Sequence, residues 1–515
     1  MSPHLPLVTA EEIAAIDAAT VAAGTLGRDL MQRAGRGVWE QAAERYDIRP
    51  DTRAVFLCGK GNNGGDGFVA ARSARSDGLD PVIILFADEQ DVTGDALYHL
   101  REARKTGVAI RLFSEFDEHA LTETLRSADL VFDALLGTGL AGPPRSPIDR
   151  AIDVLSQHAG RTIAVDVPSG MNADTGEGQA AAADLTVAFG CAKPGHVFYP
   201  GKSRCGDVAI VDIGLSEAAV AARSTRHISF GIADPHLPER SRTAHKGDAG
   251  KVAIIAGSVG LTGAACLASQ AALRSGSGLV TLGLPETLND IAEVKLTEVM
   301  TRPLPEVRKH RCLALRARGD IQSLFGGVHA IALGPGLGRH RETAELVRRL
   351  ILDLTAPAVL DADGLNAFAG DVDRLSRAAQ PLVLTPHPGE YRRLTGSGPD
   401  ALATPNDVLE AAETLASRTG AVVVLKGAPT VIALPDGTSF VNLSGNPGMA
   451  TGGTGDVLTG VIASLMGQGL SPEDAAISGV YWHGLAADLS ADRVGERGLL
   501  ACDIIDTLPE AERLI

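Results

Sequence analysis

"GMATGGTGDVLTGVIASLMG", residues 448–467, sets a glycine-rich turn directly before an apolar segment of helical spacing. Bare backbone N–H groups at 452–455, at the start of a helix, suit the oxygens of a phosphoryl group. Asp456 stands among them, where a fixed carboxylate repels an anion unless it has a task beside the phosphate. A kinase-type division of labour supplies one: the carboxylate takes a proton from an attacking hydroxyl while the N–H groups stabilise the phosphoryl in transfer. The competing reading makes Asp456 an ordinary helix N-cap. The rest of the chain decides between them.

Outward from this loop, short β-branched runs alternate with helical stretches, the grammar of parallel sheets with crossover helices. Before the loop they read KVAIIAGS (251–258), GLVTLGLP (278–285), AIALGPGLG (330–338), APAVLDADGL (356–365) and PLVLTPHPGE (381–390). AVVVLKGAPTVIALPDG (421–437) follows as a strand, a turn and a hairpin partner. The first half repeats the grammar in AVFLCG (54–59), PVIILFA (81–87), DLVFDALLG (129–137), TIAVDVPSG (162–170) and LTVAFG (185–190). A helix over 9–24 precedes them, with Thr9 and Glu12 spaced as a capping box. Between the halves, GLSEAAVAARSTR (214–226) reads as a polar, Ala-rich connector without a further strand. The expectation is an α/β chain of two doubly wound domains, 1–222 and 223–515.

Composition agrees with that size. A chain of 515 residues demands more than one core, and 59 glycines suit many strand-to-helix turns. The net charge of −16, without a block of like charges, argues against nucleic-acid or anionic-membrane partners, which need basic surface. The six cysteines show neither C-x-x-C nor metal spacing, which points to a reduced compartment without disulfides. No basic-then-apolar leader is present, nor an apolar run of the roughly 18 residues of a membrane span. A cytoplasmic protein is expected.

GKGNNGGDGFVAARSAR (59–75) follows a strand and opens a helix. Gly59, Gly61 and Gly64 satisfy G-x-G-x-x-G, and Asp88 or Glu89 closes the next strand, as in a Rossmann dinucleotide site. Asn62 and Asn63 before the third glycine, and Asp66 after it, argue otherwise, because a carboxylate at the helix start opposes a pyrophosphate. Amides and carboxylates suit a cation or a hydroxylated ligand. Asp133 ends a strand in FDALLGTGLAGP (132–143), and Asp166 and Ser169 end another in VDVPSGMNADTG (165–176). Ligands of open α/β sheets bind outside the carboxyl ends of the strands, so Asn63, Asp133, Asp166 and Ser169 converge on one rim. An oxygen-only set of this kind suits a hard, weakly charged cation better than zinc. Singly, each Asp reads as a loop or helix cap; three strand ends of one chemistry weigh against that.

GKGNNGGDGF, FDALLGTG and VDVPSG in this order resemble the N-terminal domain of the NAD(P)H-hydrate epimerases, over most of residues 7–216. The resemblance implies that Asn62, Asn63, Gly64, Gly65 and Asp66 hold a hydrated nicotinamide nucleotide. The loop of Gly137, Thr138, Gly139, Leu140, Ala141, Gly142 and Pro143 shares that task. Asn63, Asp133 and Ser169 are implied as potassium ligands and Asp166 as a substrate contact. The hydrated ring carries a hydroxyl at C6 beside a nitrogen with a usable lone pair. Loss of that hydroxyl and return of water to the other face interchanges the epimers, and needs an acid/base group in a shielded pocket. Asp166 is the candidate for that group and Asp66 the alternative.

The second half has no Walker A sequence, which removes the P-loop class. GPGLG (334–338) supplies a glycine turn, TPHPGE supplies His387 and Glu390 at one strand end, and LKGAPTVI supplies Lys426 to Thr430 at another. Separately these are a tight turn, a polar loop tip and a hairpin turn. With GGTGD they resemble the ribokinase-like superfamily. In this order they resemble, more narrowly, the ADP- or ATP-dependent NAD(P)H-hydrate dehydratases over roughly residues 230–510. The resemblance implies nucleotide contacts at Lys426, Gly427, Ala428, Pro429, Thr430 and Gly455. It implies hydrated-cofactor contacts at Ala264, Gly336, His387 and Asp456, and a carboxylate serving magnesium at Glu390.

The joint expectation is a bifunctional repair enzyme for hydrated NADH and NADPH. A Rossmann-like, three-layer N-terminal domain with potassium interconverts the R and S epimers. A ribokinase-like C-terminal domain with ADP and magnesium dehydrates the S form, Asp456 acting as base. The fused form resembles the bacterial, ADP-using type, and a homo-oligomer, specifically a tetramer, fits the family. A ribokinase-like sugar or vitamin kinase with a Rossmann nucleotide-sensing domain competes, but NNGGD with VDVPSG argues against it. A nonenzymatic nucleotide-binding regulator predicts loss of the base at 456 or of the anion-hole glycines, and both are present.

Overall fold

Ala54, Phe56 and Cys58 pack into one apolar cluster and Val55 and Leu57, between them, into another. That alternation, apolar on both faces, is what a central parallel strand requires. The structure, a computed structural model, describes residues 5–115, 118–140, 142–229 and 236–515. The chain divides into two compact units, Pro6–Thr225 and Arg226–Ile515, the latter grouped with Leu5.

In the first unit the strands are β1 (Ala54–Cys58), β2 (Val82–Leu85), β3 (Ala109–Leu112), β4 (Leu130–Ala134), β5 (Arg161–Val165), β6 (Leu185–Phe189) and β7 (Asp207–Val211). They pair in parallel in the order β3-β2-β1-β4-β5-β6-β7. The order reverses between β1 and β4, which is where a doubly wound sheet opens a crevice. Helices α1 (Ala10–Ala22), α2 (Gly27–Arg45), α3 (Asn62–Ser76) and α4 (Gly94–Lys105) belong to this unit. The capping box of α1 forms as its spacing predicts: Glu12 N donates to Thr9 Oγ1, and Thr9 N to Glu12 Oε2. Helices α2, α3 and α4 pack on the face of β1 and β4 that carries Phe56 and Phe132, whose rings stack 4.2 Å apart.

In the second unit the strands are β8 (Arg226–Ser229), β9 (Lys251–Ile255), β10 (Leu279–Pro285), β11 (Met300–Leu304), β12 (Ala330–Leu333), β13 (Ala358–Leu360), β14 (Leu382–Leu384), β15 (Val422–Leu425), β16 (Thr430–Ala433) and β17 (Ser439–Asn442). They run in the order β8-β17-β16-β15-β14-β13-β12-β9-β10-β11. Every pair is parallel except β15–β16 and β16–β17, so the expected hairpin partner is present. The helices that matter for the site are α5 (Thr262–Arg274), α6 (Pro388–Thr395), α7 (Thr454–Gly467), α8 (Pro472–Val494) and α9 (Ala501–Ala511). Every residue of α7 from Val457 to Gly467 is buried. An added Cβ on Gly460 would stand 2.1 Å from Ala268 O, so glycine there sets the close approach of α7 to α5.

Strands β3, β7, β8, β11 and β17 add to those read from sequence. The connector 214–226 was expected to lead to no further strand; it carries a short helix, Glu217–Ala221, and ends where β8 begins at Arg226. Strands β3, β7 and β11 are sheet edges with partly exposed residues, where the apolar signal is diluted. Among the described residues no helix is long and apolar enough to cross a membrane.

Candidate functional site

In the first unit the residues following β1, β4 and β5 meet at the switch point. Asn62–Asp66 forms the first turn of α3, capped at Gly61. A Cβ on Gly64 would sit 1.9 Å from Gly59 O, so this turn admits only glycine there. Asn63 Nδ2 donates to Leu136 O at 2.8 Å, and the Asn63 side chain packs against Gly137. Asp133, 1% exposed, accepts from Ser169 N at 2.8 Å, from Ser169 Oγ, and from Leu135 N at 3.4 Å. Ser169 Oγ in turn accepts from Leu136 N at 2.9 Å. Burial pushes the Asp133 carboxyl up, and the Ser169 donors pull against it. Amide, carboxylate, hydroxyl and carbonyl oxygens with one formal charge fit a monovalent, oxygen-seeking cation.

Asp166 follows β5 with φ +65°, a left-handed conformation uncommon outside glycine. Four contacts hold it. Its N–H donates to Val187 O (2.9 Å), and its carbonyl accepts from His196 Nε2 (2.9 Å). Its carboxylate Oδ1 accepts from Lys193 Nζ (2.6 Å) and Phe189 N (3.3 Å). A carbonyl only accepts and a backbone N–H only donates, so His196 carries its proton on Nε2 and accepts from Lys193 N (3.2 Å) on Nδ1. Burial, then the Lys193 charge, pushes His196 down to about 4, so the ring is neutral. Asp66 is also buried, and burial followed by the charges of Asp166 and Asp17 pushes its carboxyl well above the usual range. Asp17, on α1, is raised by burial against the opposing pull of Lys193.

In the second unit Gly453 caps α7 with φ +101° and Asp456 lies in the first turn. Burial, then the charge of Asp361, pushes the Asp456 carboxyl up to about 7, against the pull of Lys426. Asp361 directly follows β13 and is 1% exposed. It accepts from Lys426 Nζ (2.9 Å), Thr385 Oγ1 (2.7 Å) and Thr459 Oγ1 (2.8 Å). Burial alone would lower the Lys426 ammonium, but Asp361, Glu390 and Asp456 outweigh it, and the group is raised and stays charged. Lys426 Nζ lies 3.9 Å from Glu390 Oε2. A Cβ on Gly455 would stand 3.1 Å from that ammonium, so the bare glycine lets it reach the loop.

Glu390 and His387 form the capping box of α6: His387 N donates to Glu390 Oε2 (2.9 Å), and Gly389 N to His387 Nδ1 (3.0 Å). His387 Nε2 faces Glu390 Oε1 at 3.4 Å, and burial pushes the ring's pKa down while Glu390 pulls it back. Thr430 Oγ1 donates to Gly427 O at 3.3 Å across the turn between β15 and β16. Gly336 has φ +63°; a Cβ there would stand 2.6 Å from Leu261 O and 3.1 Å from the Ala264 Cβ. Asp363 accepts from Gly338 N (2.8 Å) and also raises Asp456, which ties the GPGLG turn to the surroundings of the base. Among the described residues no group of three or more His, Cys, Asp or Glu side chains is set for a metal. Glu390 nonetheless suits magnesium, which binds through one or two carboxylates and completes its shell with phosphate oxygens and water.

A protein-family profile described as NAD(P)H-hydrate dehydratase matches residues 252–510, and one described as YjeF-related protein N-terminus matches residues 27–195. The bifunctional NAD(P)H-hydrate repair enzyme Nnr of Moorella thermoacetica is 42% identical over 486 residues, 93% of this chain and 91% of its own. This chain belongs to the family of bifunctional NAD(P)H-hydrate repair enzymes. The Escherichia coli (strain K12) member is 37% identical over 488 residues, 93% of this chain and 88% of its own. A solved structure of the ADP/ATP-dependent NAD(P)H-hydrate dehydratase from Bacillus subtilis, co-crystallized with ATP/Mg2+, is 34% identical, covering 54% of this chain and 95% of its own, with a TM-score of 0.46.

Against the residues that the family resemblance singled out, the structure brings Asn63, Asp133 and Ser169 into one cluster and ties Asp66 to Asp166 through their charges. Lys426, Glu390, His387, Gly455 and Asp456 gather around one ammonium, and Gly336 meets Ala264. Thr138, Gly139, Leu140, Gly142 and Pro143 form a partly exposed loop after β4; Ala141 lies outside the described residues. Sequence reasoning missed Asp361, Thr385 and Thr459, and in the first unit Asp17, Lys193 and His196. Asp361 carried the signal used for Asp133, a carboxylate ending an apolar strand. Lys193 carried none.

Proposed function

We propose that this chain repairs hydrated NADH and NADPH, its first unit interconverting the C6 epimers and its second dehydrating the S form with ADP as phosphoryl donor. The observation that carries the reading is Asp456: a carboxyl at about 7, in the first turn of a glycine-capped helix, beside the buried Lys426 ammonium. Such a group is ionised in about half of the molecules near pH 7 and accepts a proton there. It takes the proton of the C6 hydroxyl as the hydroxyl oxygen bonds to the terminal phosphorus of ADP and AMP departs. The N–H groups of 452–455 and Lys426 offset the charge on the phosphoryl oxygens. The ring nitrogen then expels phosphate from C6, and loss of the C5 proton restores the reduced nicotinamide.

Glu390 would hold a magnesium ion, which supplies charge neutralisation at the phosphates. Asn63, Asp133, Ser169 and the Leu136 carbonyl would hold a potassium ion, which supplies a fixed positive charge at the switch point. In the first unit Asp166 is the acid/base group, held in place by its four contacts. We assign the nucleotide to Lys426–Thr430 and Gly455, and the hydrated cofactor to Ala264, Gly336 and His387 in one unit and to Asn62–Asp66 with the 137–143 loop in the other. The protein is proposed to work in the cytoplasm as a homo-oligomer.

The test is recovery of reduced-nicotinamide absorbance from a mixture of hydrated NADH epimers, with ADP or ATP, for the native chain and Asp456→Asn. The reading expects both epimers to be consumed with ADP and no recovery in the variant. Failure to recover with either nucleotide would return the second unit to the small-molecule kinases.

A further inference from the structure

Lys193 is fully buried, and its Nζ lies 2.6 Å from Asp166 Oδ1. Taking an ammonium out of water is costly even when it is paired, so a lysine so placed calls for an explanation beyond packing. Asp166, its partner, is the only residue of this cluster with a left-handed backbone, and His196, three residues beyond Lys193, holds the Asp166 carbonyl. The two side chains thus grip Asp166 at both ends, from a segment that follows the neighbouring strand β6. A second carboxyl, Asp66, sits close enough to feel the Asp166 charge and has no ion-pair partner among the described residues.

We propose that Lys193 is a positioning residue of the epimerase site, dividing the acid–base work so that Asp166 is the proton acceptor and Asp66 the proton donor. The proposal rests on the epimerase reading above and deepens it. Asp66 gives its proton to the departing C6 hydroxyl: the C–O bond breaks, its electron pair leaves with the oxygen as water, and the nitrogen lone pair forms the iminium bond. Water adds to the other face: a new C–O bond forms, the C=N pair returns to nitrogen, and Asp166 takes the water's proton. That proton passes back to Asp66 through water, which closes the cycle with no net transfer.

The groups that titrate around Asp166 are Asp17 on α1, Asp66 on α3, and Cys191, Lys193 and His196 after β6. His196 is neutral, and burial pushes the Cys191 thiol up to about 11, so neither changes charge between pH 5 and 9 in the folded chain. The pH profile of epimerisation therefore reports the carboxyls.

The experiment starts the full-length chain on a single epimer, with potassium and without nucleotide, and follows the epimer ratio by NMR across pH. The native chain equilibrates the epimers. Lys193→Met slows this by about 100-fold or more and changes the pH profile, because Asp166 loses the ammonium bonded to its carboxylate. Lys193→Arg keeps the native limbs, and Asp66→Asn loses the basic limb. A melting curve of each variant that keeps the transition of the first unit checks that this unit is folded, which dehydration by the second unit does not report. If the native chain does not equilibrate the epimers, the epimerase reading and this proposal fall together. If it does, and Lys193→Met keeps the native pH profile, or both Lys193 variants lose activity equally at every pH, the assignment of Lys193 alone is overturned.

Discussion

Lys426 and Asp361 form a buried ion pair, Nζ to Oδ1 2.9 Å, between the ends of strands β15 and β13. Asp361 accepts from Thr385 and Thr459 as well, so its carboxylate is satisfied on both oxygens and the ammonium is aimed at the glycine loop. Asp361→Asn leaves Lys426 without its nearest countercharge. Breaking a buried pair from one side costs on the order of 3 kcal/mol, and the expected result is a lower melting temperature together with a raised KM for the nucleotide. A calorimetric scan and a nucleotide titration check the two effects. An unchanged KM would mean that Lys426 does not meet the nucleotide.

Dehydration should rise with pH through about 7, since the Asp456 carboxyl is raised to that value and must be ionised to act as base. The same shift sets a stability dependence of opposite sense. Asp456 in the folded chain holds its proton between pH 3.8 and about 7, where the unfolded chain has lost it, so its contribution to stability falls as pH rises through that window. Asp456→Asn is therefore expected to be inactive and, at pH 8, to melt above the native chain. A pH–rate profile with melting curves at pH 5 and 8 tests both signs.

Gly336→Ala should remove dehydration while leaving epimerisation intact. The backbone is left-handed there, and the new Cβ would press within 2.6 Å of Leu261 O and against Ala264. Strain of about 1–3 kcal/mol is expected, released by moving the GPGLG turn away from Asp363. Measuring both activities together with a melting curve that keeps the transition of the second unit separates this local effect from a loss of folding.

Ser169→Ala deprives the buried Asp133 of its hydroxyl donor, and Asp133 keeps the Ser169 and Leu135 amides. The expected cost is about 1–3 kcal/mol of stability. Epimerisation should lose its stimulation by potassium, measured against the same ionic strength of tetramethylammonium. Retained stimulation would remove Ser169 from the cation site.

The local devices were legible because each is written in adjacent residues. Continuous apolar runs mark the central strands, as in Ala54–Cys58, and a glycine run before an apolar helix gives the loop at Gly452–Gly455. The edge strands β3, β7 and β11 escaped because one face meets water and the apolar signal thins. In the candidate site, the motif residues Asn63, Asp133, Ser169, Glu390 and Lys426 were legible, and the groups that govern their charge were not. Lys193 illustrates the gap: nothing in its neighbours along the chain marks a lysine for burial.

The sequence by itself therefore determined the two-part α/β grammar, the glycine turns and the acidic strand ends, all of which depend on neighbours within a few residues. Tertiary structure alone decided the pairs. Asp361 meets Lys426 across 65 positions and Thr459 across 98, and Asp166 meets Lys193 across 27. Which strand lies beside which sets those distances, and burial, summed over everything packed around a carboxyl, sets whether it holds its proton. That is why Asp456 was readable as a base from its loop, while its poise near neutral pH belongs to the fold.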